Sequence, residues 1–256
     1  MKINIITSYP KSGNTWIRYI IYEIFFNSKN HENDNSLNIK RFVPDLHQIQ
    51  WKNNQLILDE DLKNEKIFLK THFSFDQMKS FPMDKIILVV RNPLDVFVSL
   101  YNYYDLDSHN KDKYVDEFAR NHTLFGLKKF GYPSWSEHLT KWLGSKLNIR
   151  LIKYSSLIDD FDNEILKLLD FLNVSLDQKK IDLLKKNTSF LKLKSIEKKE
   201  KETKPEGFFK DEPITKFENR YFMNIGKNNN YQNFLNETQT SKLKESFGEY
   251  IKNYNL

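Results

Sequence analysis

Eight consecutive residues near the start of the chain, Tyr9-Pro10-Lys11-Ser12-Gly13-Asn14-Thr15-Trp16, are of the types that grip a phosphate. The apolar run Ile3 to Thr7 precedes them and reads as a buried strand. A run from about Thr15 to Phe26 follows, with Trp16, Tyr19, Ile20 and Ile24 at near-helical spacing. A helix N-terminus presents unpaired N–H groups and a partial positive charge, and so attracts anions. Gly13 lets the backbone wrap tightly, Ser12 and Thr15 add hydroxyl donors, Lys11 adds a full charge, and Trp16 offers a flat face to a purine. The order is not the usual Gly-x-x-x-x-Gly-Lys-Ser/Thr: here Lys precedes Gly and the loop is shorter, with room for one phosphate rather than three. On these residues alone, a tight βα turn with a core tryptophan is the competing reading.

The elements that must carry this loop alternate between short apolar runs and longer amphipathic ones, the βαβ pattern of a parallel sheet. Ile67 to Lys70 reads as a second strand and Ile149 to Tyr154 as a fourth. Ile86 to Val90, five consecutive aliphatics, reads as a third that lies mid-sheet. Pro93 suits the first turn of a helix reaching about Tyr104. Residues 113–146 read as mostly helical with a break at Gly131-Tyr132-Pro133, and helices are expected over 160–172, 177–186 and 238–253. Leu193 to Lys216, rich in Lys and Glu and broken by Pro205, Gly207 and Pro213, reads as a mobile surface segment. No repeat or internal boundary is visible, so residues 1–256 read as one domain.

Composition narrows the function classes. Hydrophobic residues make up 39% and aromatics 14%, enough for a continuous core and too much for a disordered chain. The net charge of +6 arises from 40 basic against 34 acidic residues, a weak preference for an anionic partner. With no cysteine, disulfides and thiolate metal sites are excluded, and a cytoplasmic setting is expected. The N-terminal apolar run is too short for a signal peptide, and no stretch approaches the roughly 18 apolar residues of a membrane span. The basic residues form no aromatic-interleaved stripe, so nucleic acid is not an expected partner.

The loop Tyr-Pro-Lys-Ser-Gly-x-Thr-Trp resembles the 5′-phosphosulfate loop of the cytosolic-type sulfotransferases that use 3′-phosphoadenosine 5′-phosphosulfate (PAPS). Arg91-Asn92-Pro93-Leu94-Asp95-Val96-Phe97-Val98-Ser99 resembles their 3′-phosphate segment, with Arg91 ending a strand and Ser99 two turns into the next helix. Taken without the resemblance, Arg91 would pair with Asp95 and Ser99 would be a helix-interior hydroxyl. Lys70-Thr71-His72 is similar to the family's Lys-x-His, and Gly131-Tyr132-Pro133-Ser134-Trp135 through Trp142 to its Gly-Ser-Trp…Trp helix. Tyr154 and Thr188-Ser189-Phe190 fall where the family contacts adenine and phosphate, and Phe222-Met223-Asn224-Ile225-Gly226 where it carries Phe-x-Arg-Lys-Gly. Asn224-Ile225 therefore replace two cations, for which Lys227 would compensate in part. Asn229-Asn230-Tyr231 stands in place of Gly-Asp-Trp, and Phe73-Ser74 in place of Leu-Pro.

The resemblance implies a three-layer α/β fold, a central parallel sheet flanked by helices, related to the P-loop NTPase fold. It implies PAPS as sulfuryl donor, 3′-phosphoadenosine 5′-phosphate (PAP) as product, and no required metal. The residues it assigns to PAPS are Lys11, Ser12, Gly13, Asn14, Thr15, Trp16, Arg91, Ser99, Tyr154, Thr188, Phe190, Met223, Gly226 and Lys227. His72 would be the general base, Lys11 would stabilise the leaving phosphate oxygen and Lys70 the sulfuryl oxygens, roles that suit a reaction governed by positioning and fixed charge. The acceptor would be a hydroxyl or amine of a small molecule or saccharide. Phe73, Phe75, Tyr101, Tyr103 and Tyr104 are candidates either for its apolar pocket or for the core, the segment from Asp105 to Phe130 is a candidate to shape that pocket, and His109 reads as a loop histidine rather than an acceptor contact. Neither the acceptor nor the oligomeric state is legible. A nucleotide or sugar kinase shares the fold logic but wants a strand-end carboxylate for Mg²⁺ where Arg91 stands. A catalytically inactive nucleotide-binding protein is the other rival, prompted by Asn224-Ile225.

Overall fold

The computed structural model describes residues 3–26, 35–48, 51–52, 55–56, 66–203, 207–209 and 220–256. In chain order it contains β1 (Ile3–Ser8), α1 (Asn14–Phe25), α2 (Asn35–Phe42), β2 (Trp51–Lys52), β3 (Gln55–Leu56), β4 (Ile67–Thr71), α3 (Phe75–Met78), β5 (Met83–Val90) and α4 (Pro93–Tyr103). There follow α5 (Lys111–Asn121), α6 (Phe125–Lys128), α7 (Trp135–Leu143), β6 (Asn148–Lys153), α8 (Tyr154–Asp159), α9 (Phe161–Leu172), α10 (Gln178–Asn187), α11 (Phe190–Thr203) and α12 (Glu237–Tyr254).

Four strands form a parallel sheet in the order β4-β1-β5-β6, and β2 pairs with β3 as a separate antiparallel hairpin. The register runs from Ile3 opposite Ile67 to Thr7 opposite Thr71 on one side of β1, and from Ile86 opposite Ile149 to Val90 opposite Lys153 at the other edge. The aliphatic run of β5 lies inside the sheet, as its uninterrupted apolar character requires, and each of its five side chains is at most 3% exposed. Burying one such side chain contributes roughly 1.5–3 kcal/mol.

Alternation along the strands divides the core into two layers. Ile5, Leu69, Ile86 and Leu88 face α4, α5, α7 and α12 through Phe97, Phe118, Trp135, Trp142 and Phe247. Ile6, Phe68, Ile87, Val89 and Ile152 face α1, α9 and α10 through Ile17, Ile21, Ile165, Leu168 and Leu184. Helix starts are chemically marked: the Asn92 side chain accepts the Leu94 amide ahead of Pro93, and Ser134 with Glu137 forms a capping box at α7.

Two expectations need correction. The break at residues 131–133 is present, but the helical stretch is also cut after α5, where His122 takes a left-handed conformation (φ 52°). Residues 193–203, expected to be mobile, belong to α11. The lysines of α11 lie outward, while Leu193, Glu197 and Glu200 are buried and hold neighbouring backbone: Glu197 accepts the amides of Phe222 and Met223, and Glu200 accepts that of Phe209 at 2.8 Å. Buried carboxylates satisfied by distant amides leave no apolar periodicity to read. Residues 204–206 and 210–216 of that segment lie outside the described residues.

Candidate active site

All four parallel strands end at one edge, and the residues that follow each of them meet there. β1 leads into loop 9–13, β4 into His72, β5 into Arg91 and β6 into Tyr154. The chain passes from β1 to β4 on one side and returns to β5 on the other, and ligands of open α/β sheets bind in the crevice at such a reversal.

Loop 9–13 is held by the Ser12 amide donating to the Tyr9 carbonyl (3.2 Å) and by Asn14 Nδ2 donating to Ser8 Oγ (3.1 Å). Lys11 (φ 65°) and Gly13 (φ 109°) both sit at positive φ, which for Lys11 stores roughly 1–3 kcal/mol of strain. Gly13 is required twice over, because a Cβ there would lie 2.5 Å from the Tyr154 ring. The Lys11 ammonium rests over two aromatic rings, 3.5 Å from the centre of Phe222 and 3.9 Å from that of Tyr103. Burial pushes the nearby Glu197 carboxyl up, against the amides it accepts and the Lys11 charge.

His72 is buried, and its Nδ1 lies 2.6 Å from the Ser8 carbonyl oxygen. A carbonyl only accepts, so Nδ1 carries the proton and Nε2 keeps its lone pair, the tautomer a general base needs. Burial and then the Lys70 charge hold the imidazole well below its ordinary 6.5, opposed by Asp45 and by the Ser8 bond. The Tyr132 ring meets His72 edge-on at 5.4 Å. Lys70 is equally buried and donates to Asp45 Oδ2 at 2.7 Å. Burial alone would raise the Asp45 carboxyl, but the charges of Lys70, His72 and Arg18 outweigh it and hold it well below the usual carboxylate range.

At the other end of the site the Arg91 guanidinium lies 4.3 Å over the Tyr154 ring and donates through Nη2 to the Lys227 carbonyl (3.0 Å). Asp95 directs its two oxygens to the amides of Asn229 (2.9 Å) and Tyr231 (3.0 Å), which anchors the late loop beside Arg91. Tyr154 donates to the Gly226 carbonyl (3.2 Å) and meets Trp16 edge-on at 5.6 Å. Gly226 (φ 67°) is packed so closely that a Cβ would strike the Phe190 ring.

These side chains line one cavity of about 500 Å³. From the expected set it brings together Lys11, Gly13, Asn14, Thr15, Trp16, Lys70 and His72 with Arg91, Ser99, Tyr154, Phe190, Met223 and Gly226. Ser12, Thr188 and Lys227 are not in the lining. Ser12 is buried within the loop, Thr188 donates its hydroxyl to the Leu184 carbonyl (2.8 Å), and Lys227 is exposed and contributes its carbonyl, so its side chain does not stand in for the cations expected at Asn224-Ile225. Tyr103, Tyr104 and Phe130 line the cavity as expected, whereas Phe73, Phe75 and Tyr101 pack into or against the core and the His109 side chain is 92% exposed.

The residues fit a polyanionic nucleotide. Among the described residues, five cationic side chains (Lys11, Arg18, Lys40, Lys70 and Arg91) line the cavity against the two carboxylates Asp45 and Asp95. Trp16 Nε1 and Arg91 Nε, both of cavity-lining side chains, are buried donors with no hydrogen-bond partner among the described residues. Each is costly by about 1–3 kcal/mol until something accepts from it.

Asp45, Arg18, Lys40 and Tyr132 were not singled out in the sequence as site residues. Arg18 did leave a signal: it is a charged residue between Ile17 and Ile20 on the buried face of α1, where it donates to the Val43 carbonyl (2.9 Å). Asp45 left none, since one acidic residue after Val43-Pro44 is what any surface turn contains.

Comparison with known proteins gives concordant results. The profile of the sulfotransferase domain matches residues 3–255. Rat sulfotransferase 1A1 is 30% identical over 197 residues, covering 74% of this chain and 66% of that protein, just under two-thirds of its length. Flavonol 3-sulfotransferase of Flaveria bidentis is 26% identical over 266 residues, covering 96% and 80%. Among solved structures, mouse sulfotransferase SULT7A1 complexed with PAP superposes with a TM-score of 0.66 at 21% identity, covering 98% of this chain and 85% of that one. Retinol dehydratase in complex with androsterone and inactive cofactor PAP does so with a TM-score of 0.69 at 16% identity, covering 98% and 82%. At these identities the structural likeness is one of fold.

Proposed function

The chain belongs to the sulfotransferase family, and on that premise we propose that it transfers a sulfuryl group from PAPS to a hydroxyl or amine of a small-molecule acceptor. The observation that carries the reading is convergence: the turn at Lys11-Gly13, the strand-end Arg91 and the buried imidazole of His72 border one cavity sized for a nucleotide and a small acceptor together. PAPS supplies the sulfuryl group and, in its 5′-phosphate, a leaving group that needs no metal.

The chain's own residues then have distinct tasks. Loop 11–16, with the α1 N-terminus behind it, holds the 5′-phosphosulfate end, and Lys11 faces the negative charge that grows on the leaving oxygen. Arg91 and Ser99 hold the 3′-phosphate. Trp16, Tyr154 and Phe190 flank the adenine, with Met223 and Gly226 closing over it. Lys70 faces the sulfuryl oxygens, and His72 accepts the acceptor proton at Nε2. Tyr132, edge-on to His72, and Phe130 beside it favour an acceptor with a flat apolar body, in keeping with a relative named for a flavonol. We take residues 1–256 as a single domain acting in the cytoplasm. The kinase and inactive-binder readings are not favoured.

The test has two arms. PAP at about 1,000 times its dissociation constant should stabilise the fold by about 4 kcal/mol, and AMP and ATP at equal concentration should do less. PAPS with a panel of phenols, alcohols and amines should yield PAP and a sulfated product. Equal stabilisation by AMP and PAP, or ATP turnover in Mg²⁺ without sulfuryl transfer, would overturn the reading.

A further inference from the structure

The site contains a carboxylate that the reaction as described does not use. Asp45 lines the cavity, and its side chain and that of Lys70 are 15% and 6% exposed. One oxygen takes the Lys70 ammonium at 2.7 Å, and the other takes the His47 amide at 3.1 Å. The Lys70 amide donates to the Pro44 carbonyl at 2.9 Å, so the backbones of both partners are tied together as well. The carboxylate is thus fixed, largely removed from water and close enough to His72 for their charges to interact.

The charges at that end do not balance without it. His72 Nε2 takes the acceptor's proton while the acceptor oxygen bonds to sulfur and the bond from sulfur to the 5′-phosphate oxygen breaks, its electron pair leaving on the phosphate. The product state therefore has an imidazolium beside the Lys70 ammonium, both out of bulk water. Like charges in a low-dielectric site repel strongly. Among the described residues, the other groups packed on His72 offer no negative charge: the Ser8 carbonyl from β1, the neutral His138 from α7 and the Tyr132 ring, with Arg18 of α1 adding a further positive charge near Asp45.

We propose that Asp45 is a positioning residue of sulfuryl transfer, holding Lys70 in place and supplying the counter-charge that lets His72 become protonated while Lys70 remains cationic. This rests on the function proposed above and gives the ion pair a role beyond packing. With Lys70 held by Asp45, the same carboxylate offsets the positive charge that appears on His72 as the proton arrives. Removing the carboxylate should make His72 a weaker base, and the fall in rate at low pH, where His72 is protonated before it can act, should move to still lower pH.

The experiment compares wild type, Asp45→Asn, Asp45→Glu, Lys70→Gln and the double variant Asp45→Asn/Lys70→Gln, with PAPS as donor and 2-naphthol as probe acceptor. Cooperative melting and PAP stabilisation are measured on each, and the His72 imidazole is titrated by NMR with PAP bound. For Asp45→Asn, PAP affinity should stay within about threefold, kcat should fall on the order of 10-fold to 100-fold, and the acid limb and imidazole midpoint should both move down. Asp45→Glu should recover part of the rate. The double variant should titrate below Lys70→Gln alone, because the carboxylate acts on the imidazole whether or not Lys70 is present. Wild-type kcat and an unmoved acid limb in Asp45→Asn would overturn the proposal, as would a double variant with the same rate and midpoint as Lys70→Gln alone, which would reduce Asp45 to neutralising a buried lysine. Failure of wild type to bind PAP or to sulfate any acceptor would instead bring down the functional reading beneath it.

Discussion

Replacing Gly13 by alanine tests the geometry on which the phosphate loop depends. At φ 109° an L-residue is strained by roughly 1–3 kcal/mol. Its Cβ would also fall 2.5 Å from a Tyr154 ring carbon, well inside contact distance, so the ring must swing away. Tyr154 would then lose its bond to the Gly226 carbonyl, about 1 kcal/mol, and its edge contact with Trp16, about 0.5–1.5 kcal/mol. The sum is roughly 2.5–5.5 kcal/mol, which in a chain of this length lowers Tm by about 5–22 °C. PAP stabilisation should disappear as well, because the displaced ring belongs to the same cavity. The control is Gly126→Ala, where a Cβ meets nothing within 4 Å and the site is helical, so the change should be neutral or stabilising by up to about 1 kcal/mol. Thermal melts of both variants with and without PAP provide the measurement. A Gly13→Ala protein melting within about 1 °C of wild type, with PAP stabilisation intact, would refute the argument that loop and Tyr154 form one close-packed unit.

Two further outcomes are expected. His72→Ala should lose on the order of 10²-fold to 10⁴-fold in turnover while PAP still stabilises it, and loss of both together would mean that the imidazole supports the fold rather than the chemistry. Ile225→Lys, which returns a cation to a cavity-lining position of the late loop, should tighten PAP more than AMP and make the gain salt-dependent; an equal effect on both nucleotides would detach this loop from the 3′-phosphate.

What could be read from the chain by itself were features whose physics is contiguous. The Lys11-Gly13 turn, the aliphatic run of β5, the Arg91 strand end and Pro93 as a helix starter depend on neighbours a few residues apart, and all lie where their residue types require. Packing decided the rest. Asp45 reaches Lys70 across 25 positions, Phe222 and Tyr103 cover Lys11 from two distant elements, and Glu197 and Glu200 make a helix of a lysine-rich stretch by burying their carboxylates on the amides of other segments. None of these has a periodicity, because the free energy of a buried charge is set by the partners the fold delivers, and which partners arrive is known only once the sheet has closed and its strand ends face one cavity.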